Sequence, residues 1–199
     1  MLRLCDVWRR LSEWREGAVA TGRYVALLRG INVSGKNMLP MKELAAMFVA
    51  AGCSRVETYI QSGNVVFSAG AGVVKGLDAR ISKMIGEGFG WKVPVVIRSA
   101  AQMGVVVREN PFLKAGSAVE LMHVYFLAEA PGVEMVVGLD AGRSPGDRFE
   151  VVGGEIYLEL GNGMGKSKLT NAYFDSKLKT VSTARNWRTV LKLVEMSGG

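Results

Sequence analysis

Tyr24-Val25-Ala26-Leu27-Leu28-Arg29-Gly30-Ile31-Asn32-Val33-Ser34-Gly35-Lys36-Asn37 is the stretch from which the rest of the chain is read. Its first five residues are apolar and β-prone, as in a short strand buried on both faces. Arg29 and the Gly30 to Asn37 loop then present two cations, two amides and two glycines before Pro40 opens a helix. A buried strand that runs into a polar, glycine-bearing loop is where α/β proteins commonly carry a site. The stretch therefore locates a site before any chemistry is named.

Working outward, Met41, Leu44, Ala45 and Phe48 form one helical stripe between Pro40 and Gly52. Arg55 to Ile60 and Asn64 to Ser68 read as strands joined by the turn Gln61-Ser62-Gly63. After the glycine-rich Ser68 to Gly72, the residues Val74, Leu77, Ile81, Met84 and Ile85 mark a second helix. Val93 to Arg98 is a fourth strand, which Pro94 confines to an edge or to its own beginning. Ser99 and Gln102 make a capping box for a helix through Met103, Val106 and Val107, ended by Asn110-Pro111.

The order then recurs. A strand over Glu120 to Ala128 precedes a helix from Pro131 to Leu139 and a hairpin, Arg148 to Val152 and Glu155 to Leu160, about Gly153-Gly154. The glycine-rich Gly161 to Gly165, a helix from Ser167 to Leu178, a short strand near Val181 and a helix from Ala184 to Met196 follow. Pro40 and Pro131, Ser62 and Gly153, and Gly70 and Gly163 are each separated by roughly ninety residues, as expected of a repeat in architecture. The fold class expected is α+β, two consecutive ferredoxin-like βαββαβα halves at 22–110 and 111–199, with antiparallel or mixed sheets covered by helices. Pairing the first and third strands of each half in parallel predicts that Arg29 and Ser62 lie at opposite sheet edges, about 15 to 20 Å apart. It also predicts that the Gly161 to Lys168 loop lies beside Glu129 to Pro131, where an acid can pair with Lys166.

Composition narrows the class. A chain of 199 residues, 49% of them hydrophobic, can bury a sizeable core. No run of 18 apolar residues and no apolar N-terminal block occurs, so the expectation is a cytoplasmic protein without a membrane partner. Cys5 and Cys53 are far apart in sequence and read as reduced thiols, and a single histidine, His123, leaves no metal-ligand set; no cofactor is expected. Residues 1–21 place Leu4, Val7, Trp8, Leu11 and Trp14 at helical spacing, which reads either as an amphipathic helix docked on the protein or as sequence upstream of a start near Val19. The net charge of +7 is segregated: residues 22–110 carry +6, residues 111–159 carry −5 and residues 160–199 carry +5. Such a pattern suits an anionic ligand, a nucleotide or nucleic acid, and equally a homodimer in which acidic and basic regions meet.

The strings Leu28-Arg-Gly-Ile-Asn-Val-Ser-Gly-Lys-Asn37, Tyr59-Ile-Gln-Ser-Gly-Asn-Val-Val-Phe67, Val93-Pro-Val-Val-Ile-Arg-Ser99, His123-Val-Tyr-Phe-Leu127, Ser167-Lys-Leu-Thr-Asn171 and Thr183-Ala-Arg-Asn-Trp-Arg-Thr-Val-Leu-Lys-Leu193 closely resemble the bacterial family known as domain of unknown function 1697. The resemblance runs from about Tyr24 to Met196. It implies two ferredoxin-like halves and carries over no activity and no catalytic residues.

Two loops and one helix face supply the candidate ligand residues. Arg29 can fork onto a carboxylate or phosphate with Asn32, Lys36 and Asn37 beside it, or pair with an acid while the asparagines hold turns. Gly161 to Ser167 ends in Gly-Lys-Ser, but the first glycine of a P-loop falls on Leu160, so only a looser anion site of Lys166, Ser167 and Lys168 at a helix N-terminus survives. Trp187, Val190, Leu191 and Val194 form the packed stripe of the last helix, leaving Arg185, Arg188 and Lys192 for phosphates or for solvent. The third strands offer only Phe67 and Tyr157, too few aromatics for RNA recognition by stacking. Binding of a phosphorylated small molecule, nucleotide or nucleic acid, an enzyme acting on a small anion through Lys36 or Lys166, and an assembly module are the functions left standing.

Overall fold

The computed structural model describes residues 21–33 and 35–198, so the expected N-terminal helix lies outside the described residues. The first half contains β1 (Thr21–Leu28), α1 (Met41–Ala50), β2 (Ser54–Tyr59), β3 (Asn64–Gly70), α2 (Ala71–Val74), α3 (Leu77–Phe89), β4 (Val95–Ser99), α4 (Ala100–Arg108) and α5 (Pro111–Lys114). A 3-10 turn over Val119–Leu121 leads into β5 (Met122–Leu127), α6 (Val133–Val137), β6 (Asp147–Val152), β7 (Glu155–Leu160), α7 (Asn171–Leu178), β8 (Ser182–Asn186) and α8 (Trp187–Ser197). The two sheets have strand orders β2-β3-β1-β4 and β6-β7-β5-β8, and all neighbouring strands are antiparallel. The α+β class and the two ferredoxin-like sheets expected from the sequence are those observed. Pro94 immediately precedes the edge strand β4, where its missing N–H removes no central hydrogen bond.

One expectation fails. β1 and β3 are antiparallel, with Thr21 opposite Gly70 and Leu27 opposite Asn64. The helical crossover makes β2 parallel to β1, and the tight hairpin reverses β3, so the strand inserted between them must run against both. The Arg29 loop and the Gln61 to Gly63 turn therefore share one edge of the sheet: Leu28 N–H donates to the Gly63 carbonyl at 2.8 Å. The same inversion in the second half places Glu159 opposite Met122, so the Gly161 to Lys168 loop leaves β7 at the start of β5, away from Glu129.

The run Val25 to Leu28 is almost wholly buried because both faces of its sheet are covered. Ala26 and Leu28 pack with Leu44, Phe48, Leu77, Ile81 and Ile85 of α1 and α3. Val25 and Leu27 face the other way, into a cluster with Met103 and Val106 of α4, Val124 and Phe126 of β5, and Trp187, Val190 and Leu193 of α8. Tyr125 and Leu127 complete the pattern on the far side of the second sheet, against Leu169, Phe174 and Leu178. The central cluster thus draws on both halves, and the helix that ends each half fills the space between the sheets.

Local chemistry fixes the element ends. Ser99 caps α4 in a reciprocal capping box with Gln102, as expected, and Asn186 caps α8 by accepting from Thr189 N–H. Other boundaries shift. α7 starts at Asn171, capped by Thr170, rather than at Ser167, and α8 starts at Trp187, so Arg185 belongs to β8. Leu191, expected in the packed stripe of α8, is exposed, and Leu193 is buried in its place.

Gly63 gives the turn its sharpest test. Its φ is +75°, and an added Cβ would sit 2.7 Å from Leu28 Cβ and 3.0 Å from Ile31 Cδ1. Gly153, in the corresponding turn, also has positive φ, but an added Cβ there meets only a Glu155 carboxylate oxygen at 4.0 Å. Gly63→Ala is expected to cost more than the ~1 kcal/mol of left-handed strain alone and Gly153→Ala about that amount, measured by urea unfolding.

Candidate functional site

Each half ends its last strand with an arginine placed directly before a helix N-cap, Arg98-Ser99 and Arg185-Asn186, and each arginine reaches into the other half. Arg98 donates through Nη2 to the carbonyls of Leu127 and Gly154, and Arg185 through Nη2 to those of Leu28, Ser62 and Gly63. Each Nε donates to the residue that follows the turn glycine: Arg98 to Glu155, Arg185 to Asn64. The two clamps match in geometry and differ in charge. Arg98 has a carboxylate partner. Arg185 has only neutral acceptors, because its Nη1 goes to Thr183 Oγ1 and the Ala184 carbonyl.

Burial pushes the Arg185 pKa down to about 10, so the guanidinium stays protonated at neutral pH. A buried cation without a counter-ion is costly unless its donors are satisfied, and here six bonds absorb its five N–H groups. Arg185 therefore holds the turn in place and has no donor left over for a ligand. The end of the molecule that it occupies keeps an uncompensated positive charge. Arg29 stands at the same end, one residue past the end of β1, where the second half has the small Ala128 one residue past β5.

Arg29 is ion-paired through Nη1 to Asp175 of α7. The other oxygen of Asp175 accepts from Ser182 N–H at 2.9 Å and from Ser182 Oγ at 2.6 Å, so the acid is anchored at the start of β8. Among the described residues nothing takes the Nε–H or Nη2 of Arg29, whose side chain is 31% exposed. Asn32 and Asn37 build the loop: Asn32 Nδ2 donates to the Leu39 and Gln61 carbonyls, Asn32 Oδ1 accepts from Leu39 N–H, and Asn37 Nδ2 donates to the Gly30 carbonyl. Both have positive φ, as does Ile60 beside the turn. A β-branched residue there is a true outlier, of the kind that gathers at functional surfaces. Lys36 is exposed at the tip, with no ion-pair partner among the described residues.

The second loop approaches the same region. Tyr125 OH donates to the Leu169 carbonyl at 2.9 Å and lies near Met164 Sδ, while Arg29 and Asp175 are close enough for their charges to act on it. Burial is the larger effect and pushes its pKa up to about 12. Lys166 and Lys168 are exposed and, among the described residues, unpaired, whereas Ser167 is buried, accepting from Leu169 N–H. On α8, Arg188 pairs with Glu120 and Lys192 with Glu195. Lys36, Lys166 and Lys168 are thus the exposed cations without an acidic partner among the sequence candidates, and Arg29 is the ion-paired one that keeps free donors. Asp175, Asn64 and the paired arginine clamps are not among the residues that the sequence pattern singled out. The recurring arginine before a helix N-cap was the available signal.

The Gly161 to Lys168 loop is fastened by a buried carboxylate. Asp147 accepts from Ser144 Oγ and from Asn162 N–H, while Lys168 N–H donates to Ser144 Oγ. Burial works to raise the Asp147 pKa, but these hydrogen bonds and one from Ser167 outweigh it and hold the carboxyl below its ordinary value. A lowered folded-state pKa contributes stability that is complete above the unfolded value and lost as pH falls through the folded one. Acid should therefore loosen this loop below about pH 4, and Asp147→Asn should remove that part of the acid dependence, read as amide exchange over residues 161–168.

Replacing Arg185 removes a donor from six carbonyl or side-chain acceptors, of which the Ser62 carbonyl and Asn64 Oδ1 have no other donor among the described residues. Arg185→Ala is expected to lose about 3 kcal/mol or more in urea unfolding, while Arg188→Ala, which removes an exposed pair, leaves the midpoint unchanged.

Among the described residues no helix is long and apolar enough to cross a membrane. None of the curated proteins matches the sequence. Among solved structures, the chain is similar to the conserved bacterial protein SP0830 from Streptococcus pneumoniae, at 22% identity and a TM-score of 0.69, over 89% of this chain and 99% of that one. That likeness supports the fold. Residues 22–157 match the family described as protein of unknown function DUF1697, and the chain belongs to that family.

Proposed function

We propose that the protein binds a small phosphorylated molecule at the end of β1, on Arg29 and the Lys36 loop, with Lys166 and Lys168 at the rim. The carrying observation is the state of Arg29. Asp175 holds one terminal nitrogen and leaves the Nε and Nη2 edge unengaged, and that edge matches two phosphate oxygens in a bidentate fork. The buried charge of Arg185 acts in the same sense through a poorly screening interior. The opposite end, with Glu155 against Arg98 and Ala128 in place of Arg29, has no such excess.

A small ligand is favoured over nucleic acid because Arg188 and Lys192 are already paired with acids. Among the candidate residues, the exposed cations left without an acid, Lys36, Lys166 and Lys168, lie on the two loops at that end, too few for a track along a phosphate backbone.

Calorimetric titration with inorganic pyrophosphate and with nucleoside triphosphates, at low and at high salt, tests the proposal. Arg29→Lys keeps the charge but loses the fork, and is expected to weaken binding about tenfold or more. Lys36→Ala should weaken it less, and Lys192→Ala should have no effect. Binding that is equal in wild type and Arg29→Lys, or no binding even at low salt, overturns the reading.

A further inference from the structure

Each sheet has two edge strands, β2 and β4 in one and β6 and β8 in the other, and their outward backbone groups are not equally engaged. Leu28 N–H donates to Gly63, Arg29 N–H to Pro94, Leu127 N–H to Gly154 and Ala128 N–H to Val181. These bonds fix the parity of the ladders: alternate residues of an edge strand face its neighbour, and those between them face outward. On β4 the outward set is Val95, Ile97 and Ser99. The Ile97 carbonyl accepts from Arg98 Nη1, and Ser99 N–H donates to Gln102 Oε1. On β8 it is Ser182, Ala184 and Asn186, where Ser182 N–H goes to Asp175 and the Ala184 carbonyl accepts from Arg185. β2 is bulged between Ser54 and Glu57, with Arg55 at φ +48° and its carbonyl taken by Arg23. All three edges are thereby closed to a further strand.

β6 is different. It runs from Asp147 to Val152 opposite β7 with no bulge and no proline. Val152 and Glu155 face each other across a two-residue turn, so Val152, Glu150 and Arg148 spend their backbone groups on β7. Asp147, Phe149 and Val151 face outward. Asp147 N–H donates to the Ser144 carbonyl, but the N–H and carbonyl groups of Phe149 and Val151 have no partner among the described residues. The side chains of Phe149 and Val151 pack against the core on one face of the sheet, which leaves Arg148 and Glu150 exposed on the other. Arg148 pairs with Glu159 through Nε and Nη2 and keeps Nη1 free, and Glu150 has no ion-pair partner among the described residues.

We propose that β6 pairs antiparallel with β6 of a second copy of this chain, joining two four-stranded sheets across a two-fold axis at Phe149. Charge selects the register. Outward groups must meet outward groups, so odd-numbered residues pair with odd-numbered ones. An axis at Arg148 sets that arginine against its own copy, and an axis at Glu150 does the same to the glutamate; like charges directly opposite are destabilising. Axes at Asp147 or Val151 bring no opposite charges together. With the axis at Phe149, Arg148 faces Glu150 of the second copy and Glu150 faces its Arg148. Both pairs fall at non-hydrogen-bonded positions, where Cα atoms approach to about 4.5 Å. Phe149 exchanges both backbone bonds with its symmetry mate, and each Val151 N–H meets the Asp147 carbonyl of the other copy. The contact is isologous and closes at two copies. It uses none of the residues assigned to the phosphate ligand.

Sedimentation equilibrium from micromolar to near-millimolar protein, with amide exchange followed by NMR on the same samples, gives the test. A dimer is expected to form as concentration rises. The amides of Phe149 and Val151 should gain protection over the same range, while Glu150 N–H, bonded to β7 throughout, is protected at every concentration. Glu150→Arg, at an exposed position, turns both ion pairs into repulsions and should weaken dimerisation about tenfold or more, with the melting temperature of the dilute protein unchanged. Glu87→Arg makes the same charge change on the exposed face of α3 and should leave association as in the wild type. A monomer at every concentration, association unaffected by Glu150→Arg or weakened as much by Glu87→Arg, or Phe149 and Val151 amides already protected in the dilute monomer overturns the proposal.

Discussion

The arginine that each half sends into the other is the constraint on which the structure depends. Arg185 gathers carbonyls from the end of β1 and from the β2-β3 turn, and so locks the loop that follows β1 to a strand more than 150 residues later in the chain. Arg98 does the same for the second half. The free energy of such a clamp comes from charge-assisted hydrogen bonds in a dry place, where an unpaired carbonyl is expensive and a satisfied one is not. Both arginines sit directly before a helix N-cap. The strand end, the turn and the start of the helix that fills the centre are therefore fixed together.

That arrangement explains why the sheets are buried on both faces. α4 and α8 enter the space between them immediately after the clamps, and the side chains Met103, Val106, Trp187, Val190 and Leu193 meet the inward faces of β1 and β5. Strands in that position need apolar residues at consecutive positions, which is what Val25 to Leu28 and Val124 to Leu127 supply. Tyr157 shows the cost of placing a polar atom there: burial pushes its pKa far up, and its hydroxyl donates to the Val106 carbonyl at 3.1 Å, one turn of α4 serving the opposite half.

The two ends share a scaffold and differ by a few side chains. Asn64 against Glu155 and Arg29 against Ala128 turn one end cationic and the other neutral and concave. Neither change disturbs the backbone hydrogen bonds of the turns, since Leu28 and Leu127 donate to Gly63 and Gly154 alike. Charge at such a junction is free to vary because the carbonyl clamp does not depend on it.

The sequence by itself determined the elements and their order. The consecutive apolar run of β1, the Ser99 and Gln102 capping box, the glycine turns and the edge position of β4 all follow from local chemistry within a few residues. It also located the Arg29 loop, because a cation and two amides after a buried strand are visible without a fold. The direction of β3 relative to β1 follows from crossover geometry, and a misreading of that geometry separated Arg29 from the Ser62 turn that lies beside it. The burial of Arg185, the Asp175 that angles Arg29, and the pairing of Arg188 and Lys192 were decided only by tertiary structure. Each depends on a partner 68 to 157 residues away, or on a helix boundary three or four residues from where periodicity put it, or on the rotamer of an exposed side chain. Whether a charged residue faces ligand, solvent or a buried carbonyl is set by what the rest of the chain brings to it, and its own neighbours in sequence do not carry that information.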